Sequence, residues 1–291
     1  MPSSENIAAL VNQIPELDEK NPDLSLLRVK PKRGKLTGPV WAKAEKLFDQ
    51  VLEGGKAGVA DVIDMIQEVD DGTDYKARYM LHGLATYVCR PEKKAHRAAV
   101  VGGITSKLAG KPKPTQAFLL HQLQVCGGAE LCALLGGLLT DEELCQPAAA
   151  ALVAIGKGAA EQFRAALPKA RGKCRMTIVQ NLGVVRDTRS ARALRRAVRD
   201  PDRGVRIAAA WALANIADPA AVDVLIRASN AEPGWERIEA TKACLLLAEK
   251  LLAAGRKAEA RSIYMHLRDT RKEASEKYVR EAAEKALAGG Q

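Results

Sequence analysis

The sequence predicts an all-α chain, a stack of antiparallel helix pairs, on three observations. The first is a unit of about 31 residues that returns along the chain. Ile178-Val179-Gln180-Asn181-Leu182-Gly183-Val184-Val185-Arg186-Asp187 aligns with Ala209-Ala210-Trp211-Ala212-Leu213-Ala214-Asn215-Ile216-Ala217-Asp218, so that Leu, a small residue, an aliphatic and Asp fall at matching places. The second is composition: 47% of residues are hydrophobic, yet Ala and Leu supply most of them and only 4% are aromatic, which suits close helix packing better than a sheet. The third is an apolar period of three to four residues that takes over at Trp41.

Residues 1–37 read as an irregular N-terminal extension and 38–291 as the helical array. The extension carries Pro2, Pro15, Pro22 and Pro31, an amphipathic patch from Ile7 to Ile14, and a basic run at Lys30, Lys32, Arg33 and Lys35. Its Leu24, Leu26, Leu27 and Val29 are apolar enough to dock on the first helices. After Trp41, residues Ala44, Leu47, Phe48, Val51 and Leu52 share a face, and Gly54-Gly55 ends that helix. A second helix carries Val59, Val62, Ile63 and Ile66. Asp70-Asp71-Gly72 forms a turn, with Thr73 or Asp74 placed to cap a helix bearing Ala77, Met80, Leu81, Leu84 and Val88.

The later units can be indexed on a leucine near the end of each second helix: Leu84, Leu123, Leu152, Leu182, Leu213, Leu246 and Leu287. The long first gap holds an extra helix from about Glu92 to Leu108, closed by the breaker Lys111-Pro112-Lys113-Pro114. The stretch Asp200-Pro201-Asp202-Arg203-Gly204-Val205-Arg206 through Leu213, followed by Asp218-Pro219-Ala220-Ala221-Val222, resembles a HEAT repeat. It is most similar to the short HEAT-like kind named after phycobilisome bilin lyases. Tyr278 to Leu287 repeats the second-helix half of the pattern. Ala248 through Leu267, with Gly255 between apolar runs, instead looks like a tetratricopeptide repeat turn. The resemblance implies a right-handed α-α superhelix, a HEAT/armadillo-like solenoid, whose second helices line the concave side.

Composition narrows function only in part. The net charge of +10 favours acidic partners, nucleic acid or anionic lipid without requiring any of them. The six cysteines, Cys89, Cys126, Cys132, Cys145, Cys174 and Cys244, lack CxxC pairing and zinc-type histidine spacing, and read mostly as small core residues. The N-terminus has no secretory pattern and no run is long enough to span a bilayer, so a soluble, cytoplasmic protein without membrane insertion is expected. Phosphate-cradling loops, a Gly-x-Ser-x-Gly elbow and a zinc-protease helix are missing, and no cofactor is expected.

In a fold of this kind the position two before the indexed leucine holds a solvated residue. Across this chain the row reads His82, His121, Ala150, Gln180, Trp211, Cys244 and Lys285. His82, His121, Gln180, Trp211 and Lys285 are therefore the candidate partner-binding residues, with Trp211 the anomaly, because a large aromatic at an exposed-type position is how a hot spot looks. Trp41 and Trp235 read as packing residues at helix starts. His82 and His121 fall side by side on adjacent second helices but lack a third metal ligand, so they read as structural. Arg175, Arg206 and Arg280 share a slot near the start of the second helix, and Asp187 and Asp218 share one after it. In HEAT-like stacks such residues form a structural ladder between units. Arg189, Arg192, Arg196 and Arg199 fall at three- and four-residue steps and form an outward basic stripe, opposite Leu194, Ala197 and Val198.

These observations lead to a non-catalytic scaffold that binds another protein along its surface. One alternative is a nucleic-acid-binding protein using its basic surface as HEAT-like DNA glycosylases do. A second is a lyase or chaperone acting on a bound cofactor, which the name of the repeat alone implies.

Overall fold

The computed structural model describes residues 4–14, 41–67 and 73–289. Every regular element among them is helical, as expected of an all-α helical repeat, and contacts divide the chain into two units, 1–131 and 132–291. The Asp70-Asp71-Gly72 turn, the side chain of Trp41 and most of the expected N-terminal extension lie outside the described residues.

The first unit contains α1 (Ser4–Asn12), α2 (Trp41–Glu53), α3 (Gly55–Asp64), α4 (Tyr75–Tyr87), α5 (Arg97–Leu108) and α6 (Lys113–Cys126). They pack in two rows, α1 on α3 on α5 and α2 on α4 on α6. Part of the stretch expected to be irregular is thus a helix in the first row: Ile7, Leu10, Val11 and Ile14 are all buried. The helix expected from Glu92 begins instead as a 3₁₀ segment over Pro91–His96, with Pro91 at its first position, and turns α-helical at Arg97. At the head of α4, Asp74 does not cap its own helix. Its carboxylate accepts from the Gln67 amide at 2.9 Å and from Arg78 Nε at 2.8 Å.

The second unit contains α7 (Cys132–Gly137), α8 (Cys145–Ile155), α9 (Ala159–Ala166), α10 (Gly172–Val184), α11 (Ala191–Ala197), α12 (Arg203–Ile216), α13 (Val222–Ala228), α14 (Trp235–Ala253), α15 (Lys257–Thr270) and α16 (Lys277–Gly289). Short links make antiparallel pairs of α9/α10, α11/α12 and α13/α14. The second helices α8, α10, α12 and α14 then pack side by side, and this row forms the core. Its seam is the index position: Leu152, Leu182 and Leu213 are fully buried.

The repeat also governs the backbone. Arg186 and Ala217, 31 residues apart, both take left-handed φ, 51° and 62°, at the turn that leaves a second helix. Each turn then delivers an aspartate, Asp187 or Asp218, to the start of the next first helix. Gly183 follows one index leucine because a Cβ there would lie 2.6 Å from the Ala212 backbone, so its absence lets α10 and α12 approach closely.

One index assignment is corrected by burial. Leu246 is only half-buried, whereas Cys244, 31 residues beyond Leu213, is fully buried. The register runs Leu182, Leu213, Cys244, two residues before the expected Leu246, because a small thiol packs at this position as a leucine does. Five of the six cysteines are buried, while Cys89 is exposed and its thiol donates to the Ala85 and Val125 carbonyls.

Candidate functional site

Restoring the register identifies a groove on the second-helix row of the second unit. It encloses about 370 Å³ and is lined by Met176, Gln180, Gly204, Ile207, Ala208, Trp211, Trp235 and Glu239. These are four pairs of positions one repeat apart: Met176 with Ile207, Gln180 with Trp211, Gly204 with Trp235, and Ala208 with Glu239. The groove is therefore an inter-repeat feature, with α10 and α14 as its walls and α12 as its floor. Gly204 leaves room where the following repeat places an indole.

Two tryptophans give the groove its character. Trp211 is 37% exposed, and its six-membered ring passes over Gly183, so the indole is braced against α10 with its remaining face open. Trp235, expected to be a packing residue, is 59% exposed at the first position of α14. Gly234 before it is close to fully extended, at φ 152° and ψ −168°, and Trp235 stands in the first turn of α14. Lys242, which stands one repeat beyond Trp211, places its ammonium 5.5 Å from the Trp235 ring and donates to Glu239 at 2.7 Å. The surface thus combines two indoles, a thioether and an isoleucine with an amide and one carboxylate at the edge.

Behind the groove, ion pairs hold the repeats in register. One ladder joins a first helix to the aspartate that follows the next second helix: Arg164 donates to Asp187 at 2.6 Å, and Arg195 donates to Asp218. Asp187 also accepts from the Ser190 hydroxyl, and Asp218 from the Ala220 amide. A second ladder runs from the start of each second helix, with Arg175 to Asp200 at 2.8 Å, Arg206 to both oxygens of Glu236, and Arg237 to both oxygens of Glu276. The Arg206 guanidinium holds Glu236 below the usual carboxylate range, and Arg237 does the same to Glu276. At Asp200, burial works to raise the pKa but is outweighed by the Arg175 bond, the Asp202 amide and Arg206, so the net direction is down. Among the described residues, Arg280 bonds no acid. Its guanidinium donates to the Arg271 carbonyl, and the arginine that continues the 175–206 series is Arg237.

The other candidates fall in separate places. Gln180, Trp211 and Lys285 are exposed in the second unit, and His82 and His121 in the first, whereas Cys244 is buried and breaks the proposed row. His82 Nδ1 lies 2.9 Å from Gln122 Oε1, on the residue next to His121. Among the described residues no group of three His, Cys, Asp or Glu is placed to hold a metal ion. Arg189, Arg192, Arg196 and Arg199 are all exposed around α11, while Ser190, Leu194, Ala197 and Val198 are buried. Lys242 and Arg237 carry no signal in the expected row or ladder, and Trp235 was expected to pack. The 31-residue step from Gly204, Trp211 and Arg206 leads directly to the three of them.

Comparison with known proteins agrees with this architecture. Residues 160–245 match the family model described as HEAT repeats, a stretch that runs from α9 into α14 and contains the groove and most of both ladders. No curated protein matches the chain. Among the described residues, no helix is long and apolar enough to cross a membrane.

Proposed function

We propose that this chain is a non-catalytic scaffold that binds a polypeptide segment of a partner protein in the groove between α10, α12 and α14. The observation that carries the reading is the convergence of Trp211 and Trp235 on one inter-repeat groove, each with a large open face. HEAT repeats commonly serve as interaction scaffolds, which supports the same class. Covering the exposed parts of the two indoles would remove on the order of 200 Å² of apolar surface, or ~5 kcal/mol before ordering costs are subtracted. Two such anchors braced on rigid helices match the aromatic hot spots around which protein interfaces are organised. The lining offers one carboxylate, Glu239, already bonded to Lys242, and no paired acid and base around a nucleophile, so a binding role fits it better than catalysis.

The test is peptide selection from a random display library on the full chain, followed by affinity measurement with Trp211→Ala and Trp235→Ala. Selected peptides should share a bulky apolar or aromatic anchor. Each substitution should weaken them by roughly 10- to 100-fold, the scale of a hot-spot truncation. Peptides that bind the double variant as tightly as the parent would refute the groove as the binding site.

A further inference from the structure

We propose that the exposed face of α11 is a second docking surface, distinct from the groove, and that it takes an acidic polypeptide segment rich in Glu or Asp. The face is built by Arg189, Arg192, Arg196 and Arg199. Arg192 and Arg196 stand one turn apart on α11, Arg189 lies in the 3₁₀ turn that leads into it and Arg199 in the turn that follows it, and all four side chains are exposed. Leu194, Ala197 and Val198 occupy the opposite, buried side. None of the four guanidinium groups makes an ion pair or hydrogen bond among the described residues.

That bareness contrasts with the surrounding repeat. Every acidic residue between positions 187 and 218 is already engaged: Asp187 by Arg164, Asp200 by Arg175, Asp202 by the Gly204 and Val205 amides, and Asp218 by Arg195. Within α11 itself Arg195 is recruited to a ladder while its neighbour Arg196 is not. Arg192 and Arg196, four residues apart on α11, repel each other, and Arg189 and Arg199 add like charge at its two ends, so the face is electrostatically unsatisfied. The flanking first helices do not repeat it. Glu161 and Asp223 stand one repeat before and one repeat after Arg192, so the basic face belongs to this one helix.

The spacing favours a polypeptide over a nucleic acid. Arg192 and Arg196 lie ~6 Å apart along α11, the interval at which Glu or Asp recur on one face of an acidic helix, so this pair can be met in register, while Arg189 and Arg199 extend the positive surface at either end. Guanidinium forks bind carboxylates with two parallel hydrogen bonds, which makes arginine the suitable residue for this contact. The stripe carries no aromatic side chain on which a base could stack, and it is short for the extended backbone contacts of a duplex site.

The experiment uses the full chain with two fluorescent probes, a 20-residue poly-glutamate peptide and a 20-base-pair DNA duplex, measured by anisotropy at matched ionic strength. Poly-glutamate is expected to bind the parent at least ~10-fold more tightly than the duplex. Replacing all four arginines by Gln should weaken poly-glutamate by roughly 30-fold or more, with a melting temperature no lower than the parent's, because the four side chains bond nothing in the fold and their mutual repulsion is removed. Replacing them by Glu should transfer binding to a poly-lysine peptide that the parent does not hold. Trp211→Ala with Trp235→Ala should leave poly-glutamate binding intact, which separates this surface from the groove. Parent-like poly-glutamate affinity in the Gln variant would overturn the proposal. Preference of the parent for the duplex would overturn it in favour of a nucleic-acid surface.

Discussion

The two units solve the same packing problem in different ways. In the second unit one solution is repeated: Arg164 to Asp187 and Arg195 to Asp218 span the same 23 residues, and Arg175, Arg206 and Arg237 begin successive second helices at a constant step. In the first unit each contact is unique. Asp49 accepts from Lys93 at 2.6 Å and from the Tyr87 hydroxyl at 3.0 Å, Arg97 reaches the Cys126 carbonyl and Glu130, and Lys107 and Lys111 share Asp64. The core differs similarly. The second unit buries Ala and Leu at recurring positions together with Phe163, whereas in the first Phe48 is fully buried, 5.6 Å from the Tyr87 ring and close against Gly83. Repetition spreads the stabilising contacts over many equivalent places; a unique core concentrates them.

The sharpest way to break this contrast is Phe48→Ala. It should cost the first unit about 3–5 kcal/mol, since no equivalent ring can fill the space. Denaturant unfolding read alongside hydrogen exchange should show lost protection in residues 41–126 and little change in residues 172–253. Equal loss in both would erase the distinction.

Single rungs in the second unit should cost less. Arg164→Ala and Arg237→Ala should each lose about 1 kcal/mol, because the pairs are partly open to solvent. Since they share no partner, the double variant should be additive within ~0.5 kcal/mol. Arg175 and Arg206 both bond Asp200, through its carboxylate and its carbonyl respectively, so that pair should depart from additivity.

Acid should address the second ladder together. Glu236, Glu276 and Asp200 have folded pKa values below their ordinary 4.5, 4.5 and 3.8. The stability they supply is complete above those ordinary values and disappears as pH falls through them toward the lower folded values. A series of melts below pH 5 should show the loss, and Glu236→Gln should flatten its slope. A slope unchanged by Glu236→Gln would remove this pair from the account.

The smallest effect concerns the left-handed turn. Ala217→Gly should stabilise the fold by ~0.5 kcal/mol, since an L side chain pays at φ 62° and glycine does not. A lower melting temperature would show that the Ala217 methyl contributes more than its backbone costs.

The regularity of the second unit is also why more of it was legible. The helix pairs and the buried Leu182 and Leu213 follow from periodic residues; the expected ladder residues Arg175, Arg206, Asp187 and Asp218 each bond a partner outside that set, Asp200, Glu236, Arg164 and Arg195. Cys244 was misassigned because burial selects for size and polarity, which a thiol satisfies, while the reading selected for leucine. Trp235 reads as packing because apolar periodicity does not report how far a side chain at the first position of a helix is covered. In the first unit, Asp74 looked like a cap but accepts from Gln67 and Arg78 instead, a choice made by tertiary neighbours.

The first ladder has one more consequence, for how such a chain can change over generations. Each arginine meets its aspartate a fixed distance downstream, in the hairpin that follows. A gene segment encoding one complete period could be copied or excised in frame, and every donor at the new junction would still face an acceptor. Growth or shrinkage in whole steps therefore leaves no orphaned charge, while the first unit, with its singular partnerships, has no comparable freedom.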